Sequence, residues 1–130
     1  MDYARTITLA LPYEQAVPRV KDAFQTQGFG TLTEIDVQAT LKSKLDADME
    51  PYVILGACNP ELAHQALDID REIGLLLPCN VVVRAADENT TLVQALDPQV
   101  MVAVPERDEL RPVADDAGRR IQAALEALAG

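Results

Sequence analysis

The side chains best suited to chemistry in this sequence are two thiols and one imidazole, all within residues 55–83. Cys58 and Cys79 are the only cysteines, and His64 is the only histidine. Thiolate and imidazole are the ligands that Zn²⁺ and Cu(I) prefer, so the three could form a soft-metal site. The two thiols alone could form a redox couple. Their spacing is not that of a Cys-x-x-Cys motif, and buried packing residues are the alternative.

Each cysteine is followed by an asparagine, and the two Cys-Asn pairs flank one predicted helix. Asn59 followed by Pro60 is typical of a helix start. This helix start would place Cys58 beside the helix N-terminus, where the dipole favours a thiolate. Asn80 lies early in an apolar run and needs hydrogen-bond partners if it is buried. The candidate ligand-binding site consists of Gly56, Cys58, Asn59, Cys79 and Asn80.

Five stretches have the composition of β-strands, which are β-branched, alternating or continuously apolar. They are residues 3–9, 31–37, 51–58, 79–86 and 90–96. The run 51–58 is apolar almost throughout, which predicts a central strand buried on both faces. A turn at residues 87–89 joins the last two strands, so residues 79–96 are predicted to form a hairpin.

Helical periodicity recurs between these strands. Helices are predicted between Pro12 and Gly28, over residues 38–47, 60–69 and 109–128, with a short helical turn between Asp97 and Pro105. The order is therefore β-α-β-α-β-α-β-β-α-α. This order predicts a single α+β domain over residues 1–130, with a mostly antiparallel or mixed five-stranded sheet and helices packed on it.

Strand direction decides whether the two cysteines can meet. If their strands are parallel, Cys58 and Cys79 lie on the order of 20 Å apart, at opposite ends of the sheet. If the strands are antiparallel, both lie at the same end. The intervening helix descends about 15 Å, and residues 70–78 are long enough to return over that distance. Antiparallel placement is therefore feasible.

The composition excludes several roles. The net charge of −10 and the pI near 4.4 disfavour binding to nucleic acid or to anionic membranes. The N-terminal sequence MDYARTITLA lacks the pattern of a signal peptide, and no apolar run is long enough to span a membrane. We therefore expect a cytoplasmic protein with reduced thiols. The sequence contains no phosphate loop and no nucleophile–base motif, so we assign no catalytic residue, and enzymatic activity stays an open question.

The blocks LGACNP (55–60) and LLLPCNVVV (75–83), which follow GFGTLTEIDVQATLK (28–42), resemble the prokaryotic "domain of unknown function 302" family. The resemblance covers nearly the whole chain. It implies a small α+β domain that forms homodimers, with no established activity, no catalytic residues to carry over and no known cofactor.

Three functions remain open from the sequence. The first is a homodimeric module that binds an unidentified small molecule, or presents a thiol, near Cys58-Asn59 and Cys79-Asn80. The second is a thiol redox or soft-metal protein that uses Cys58 and Cys79, with His64 as a third metal ligand. The third is a purely structural or interaction domain.

Overall fold

Five antiparallel strands form one sheet within residues 2–130, the part of the chain that the computed structural model describes. The strands are β1 (Ala4–Leu9), β2 (Gly30–Asp36), β3 (Tyr52–Cys58), β4 (Cys79–Asp87) and β5 (Thr90–Leu96). Their order across the sheet is β1-β5-β4-β3-β2. The predicted α+β class, element order and hairpin are confirmed, since β4 pairs directly with β5.

Five helices accompany the sheet. They are α1 (Tyr13–Thr26), α2 (Val37–Leu45), α3 (Pro60–Ile69), α4 (Val100–Ala103) and α5 (Arg111–Ala129). A 3-10 helix over Arg71–Leu76 connects α3 to β4, where the sequence predicts only an apolar run. Pro78 follows this segment, and its ring cannot continue the backbone hydrogen bonding.

The core lies on one face of the sheet. Alternate residues of β3, β4 and β5 are buried there together with side chains of α1, α3 and α5. These strand residues are Val53, Leu55, Ala57, Val81, Val83, Val93 and Ala95. The residues between them, such as Ile54 and Val82, are only half buried. The prediction that β3 is buried on both faces is therefore wrong in part, because Tyr52 and Ile54, which point to the other face, keep partial exposure.

The N-terminal strand is tied to the last helix through Arg5. Its Nη1 donates a hydrogen bond to the backbone carbonyl of Gly118, 2.8 Å away, and its Nη2 lies 3.5 Å from Asp97 Oδ1. A Cβ at position 118 would lie 3.2 Å from Arg5 Nη2. The absent side chain of Gly118 therefore leaves room for the guanidinium group against the helix.

Candidate functional site

The two cysteines lie at the same end of neighbouring strands. β3 and β4 are antiparallel, and Ala57 pairs with Cys79, so Cys58 is one residue beyond that pair. This arrangement is the antiparallel one that would allow the cysteines to meet. Both border one cavity, together with apolar residues from α3, α4, α5 and the 71–78 connection. Those residues include Leu62, Leu77, Pro78, Met101 and Val113, and Phe29, just before β2, also lines the cavity.

The cavity between the cysteines is very small. Its volume is about 20 Å³, which is room for roughly one water molecule. Pockets that hold small organic molecules typically measure about 300–1,000 Å³. In this conformation the cavity is thus too small for a small-molecule ligand, and its apolar walls offer few hydrogen-bond partners.

Both thiols border the cavity, but they differ in burial. Cys79 pairs with Ala57 and is buried with it, whereas Cys58, the last residue of β3, is only partly buried. Cys79 is only 8% exposed, and burial, with a smaller contribution from Cys58, raises the pKa of its thiol to about 11. Burial also raises the pKa of Cys58. Because thiolates are the reactive form, burial makes both thiols less reactive near neutral pH than an exposed cysteine.

His64 lies away from the cysteines. Its side chain is 78% exposed, and its Nε2 lies 3.7 Å from Asp68 Oδ2 on the same helix. It does not line the cavity, although its neighbour Ala63 does. Within residues 2–130, no group of three or more His, Cys, Asp or Glu side chains is arranged to hold a metal ion. The proposed three-ligand set is therefore not assembled in this structure.

Asn59 begins α3, as the sequence predicts. Its Oδ1 accepts a hydrogen bond from the Leu62 backbone N–H at 3.2 Å, and Pro60 occupies the first helical turn. Its Nδ2 lies close to Gly28, whose φ is +85°. A Cβ added at position 28 would lie 2.8 Å from that nitrogen. Both ends of the amide thus have a structural role, even though the residue borders the cavity.

Gly56 is covered by two side chains rather than by a ligand. It pairs with Asn80 on β4 and with Thr33 on β2. A Cβ at this position would collide with Thr33 Oγ1 and lie 3.0 Å from Pro78 Cγ. The glycine is required because these neighbours approach the backbone closely.

Asn80 lies on the outer face of the sheet and lines a larger groove. The groove measures about 510 Å³, within the range typical of small-molecule sites. Its other side chains come from the N-terminus and from β3, β4 and β5, and include Tyr3, Tyr52, Val82, Gln94 and Leu96. Gln94 is held by hydrogen bonds from Arg84 Nε (3.1 Å) and to Thr6 Oγ1 (3.3 Å).

Of the residues that line this groove, only Asn80 belongs to the site predicted from the sequence. Tyr3 and Tyr52 are far apart in the chain and belong to no common motif. They border the same groove because the strand order places β1 and β3 on either side of β5 and β4. The strand alternation places Asn80, Val82, Gln94 and Tyr52 on one face, but only the strand order shows that they are neighbours.

The fold and the groove define a small α+β domain whose single antiparallel sheet has its core on one face and an accessible groove on the other. The chain belongs to the family described as domain of unknown function DUF302, whose model matches residues 5–128. This membership confirms the resemblance noted from the Cys-Asn blocks.

A solved structure of the same family has the same fold. The crystal structure of an uncharacterized conserved DUF302 protein from Bacillus stearothermophilus is 28% identical and superposes with a TM-score of 0.88. The match covers 97% of this chain and 98% of that one. No curated protein matches the sequence. In the described residues 2–130, no helix is both long enough and apolar enough to cross a membrane.

Proposed function

We propose that this chain is a homodimeric module that binds a small uncharged ligand in the groove on the outer face of its sheet. The lining of the groove carries this proposal. About 510 Å³ is available there against about 20 Å³ between the cysteines. Two other depressions have similar volumes, about 490 and 460 Å³, but half of the residues that line each of them are charged. The proposal keeps Asn80 from the sequence-predicted site and moves the ligand away from Cys58 and Cys79.

The groove lining suggests the chemistry of the ligand. Val82 and Leu96 supply apolar surface, and Tyr3 and Tyr52 add aromatic rings. A planar ring would pack against a tyrosine, while a carbonyl or amide group would exchange hydrogen bonds with the Asn80 carboxamide. Asp2 is the one charged residue that lines the groove, so anionic ligands are disfavoured.

The proposed site is tested by screening small neutral aromatic amides with protein NMR. We expect saturable shifts at Tyr52, Asn80 and Val82, and Tyr52→Ala should weaken the best compound about fivefold, because one aromatic contact contributes about 1 kcal/mol. Asn89→Ala, in the exposed β4–β5 turn, is the matched control. Shifts centred on Cys58 and Met101 would instead favour the cavity and refute the groove.

The homodimer in this proposal forms through β2 and α2. No residue of either element is buried within the chain, and the exposed fractions of Leu32 and Leu45 are 68% and 71%. A helix as short as α2 gains little stability without tertiary packing. A second copy would cover this apolar corner, and β2 is also a free sheet edge.

Replacing Leu32 and Leu45 together by serine should convert the dimer into a monomer at micromolar concentration. Each leucine side chain buried in an interface contributes about 1.5–3 kcal/mol. Sedimentation equilibrium gives the mass directly. Leu75→Ser, at an exposed leucine elsewhere on the surface, should leave the dimer intact. A wild-type protein that stays monomeric at high concentration contradicts the proposed dimer.

We place the protein in the cytoplasm, and its two free cysteines support this location. A thiol redox or soft-metal role is the less favoured function. Burial raises the pKa of both thiols, and His64 lies apart from them.

A further inference from the structure

A second apolar surface lies where the 3-10 helix at Arg71–Leu76 meets the segment after α4. Leu75 is 87% exposed there, and Val104 is also exposed. Both line one shallow groove of about 200 Å³, together with Leu76 and Pro105. Isolated exposed leucines are common, but adjoining apolar side chains around one depression are typical of interaction sites. We call Leu75, Leu76, Val104 and Pro105 the Leu75 patch.

Carboxylates surround the Leu75 patch. Asp70 and Glu72 line its groove, and residues 68–72 and 104–111 together contain six acidic residues and three arginines. The arginines are already occupied by local ion pairs, such as Arg107 Nη1 with Asp70 Oδ2 at 3.8 Å. In the described part of the chain, Glu72 and Glu106 have no cation within ion-pair distance. The rim therefore carries negative charge that the domain does not itself neutralise.

We propose that the Leu75 patch docks a protein segment in which apolar side chains are flanked by lysine or arginine. Its apolar residues would cover Leu75 and Val104, and its cations would face Glu72 and Glu106. Complementary charge speeds association and selects partners. A second copy docked through the same patch is disfavoured because it would bring Glu72 and Glu106 against identical carboxylates, and an anionic membrane is disfavoured by the same negative rim.

The docking surface is independent of the proposed ligand groove. The residues that line the two depressions do not overlap. Loss of binding at one surface should therefore leave the other unchanged, so the two proposals can fail separately.

A short synthetic peptide that combines leucine pairs with single lysines is the probe for this surface. Titrated into the ¹⁵N-labelled full chain, it should shift amide signals of residues 70–76 and 104–106. Leu75→Ser should weaken its affinity at least about tenfold, since one leucine side chain leaves the interface. Glu72→Gln with Glu106→Gln should weaken it too, and should flatten its dependence on salt.

Glu88→Gln, which removes an exposed carboxylate in the β4–β5 turn, is the control and should bind the peptide as the wild type does. A leucine–glutamate peptide of the same length should not bind. The proposal is overturned if the lysine peptide produces no localised shifts, if both peptides bind equally, or if Glu88→Gln weakens binding as much as Glu72→Gln with Glu106→Gln. If NMR signals of the Leu75 patch shift when the protein alone is diluted, the surface binds a second copy of the chain. That result would also overturn the proposal.

Discussion

Phe29→Ala should lower the free energy of unfolding by about 3–5 kcal/mol, the usual range for a buried phenylalanine. The side chain is 2% exposed, and its ring packs edge to face against Phe24 with centroids 6.1 Å apart. It also forms a wall of the cavity beside Cys58 and Cys79. Removing the ring therefore loses both its burial and its aromatic contact, and enlarges an existing cavity.

Urea denaturation followed by circular dichroism measures this loss, with Tyr3→Ala at an exposed aromatic residue as the control. Thiol labelling supplies a second readout, because the enlarged cavity should admit reagent to Cys79 faster than in the wild type. A loss below about 1 kcal/mol would show that the ring is not packed as described.

The buried thiol of Cys79 should make the protein less stable between pH 9 and pH 11. Burial raises its pKa from 9.0 to about 11 in the folded state. Above pH 9 the unfolded chain loses this proton while the folded chain keeps it, so unfolding becomes more favourable as the pH rises. The full loss of stability from this change in pKa is about 3 kcal/mol, reached above pH 11, and about 2 kcal/mol of it falls between pH 9 and pH 11.

The contribution of Cys79 is the difference between the pH dependence of the wild type and that of Cys79→Ala. Other groups that titrate in this range, such as Tyr13, whose pKa is also raised, are present in both proteins and cancel. We expect the wild type to lose about 2 kcal/mol more than Cys79→Ala between pH 9 and pH 11. Parallel curves for the two proteins would mean that the thiol is accessible to water.

Local signals in the sequence predict the elements well. Asn59-Pro60 predicts the start of α3 because a side-chain cap and a proline ring act within one turn. The hairpin of β4 and β5 is equally local, since a short turn joins its strands. The order of the five strands has no such signal, and neither does the partial exposure of Ile54 and Val82.

The candidate site was harder to predict for two physical reasons. Helix-dipole reasoning favours a thiolate at Cys58, but desolvation acts in the opposite direction and raises its pKa. The groove depends on side chains of four separate segments, and only Asn80 among them attracts notice in the sequence as a polar residue within an apolar run. No local signal in the sequence predicts which distant strands pair, so the groove could not be predicted from it.

The pairing of β1 with β5 also has a consequence for folding kinetics. Ala4 pairs with Leu96, so the earliest strand of the chain finds its partner only after the other four strands have been synthesised. The meander of β2, β3, β4 and β5 can form from neighbouring segments, whereas β1 must close a long loop, which makes its docking slow. Pulse-labelled hydrogen exchange should therefore find the amides of β1 protected after those of β4.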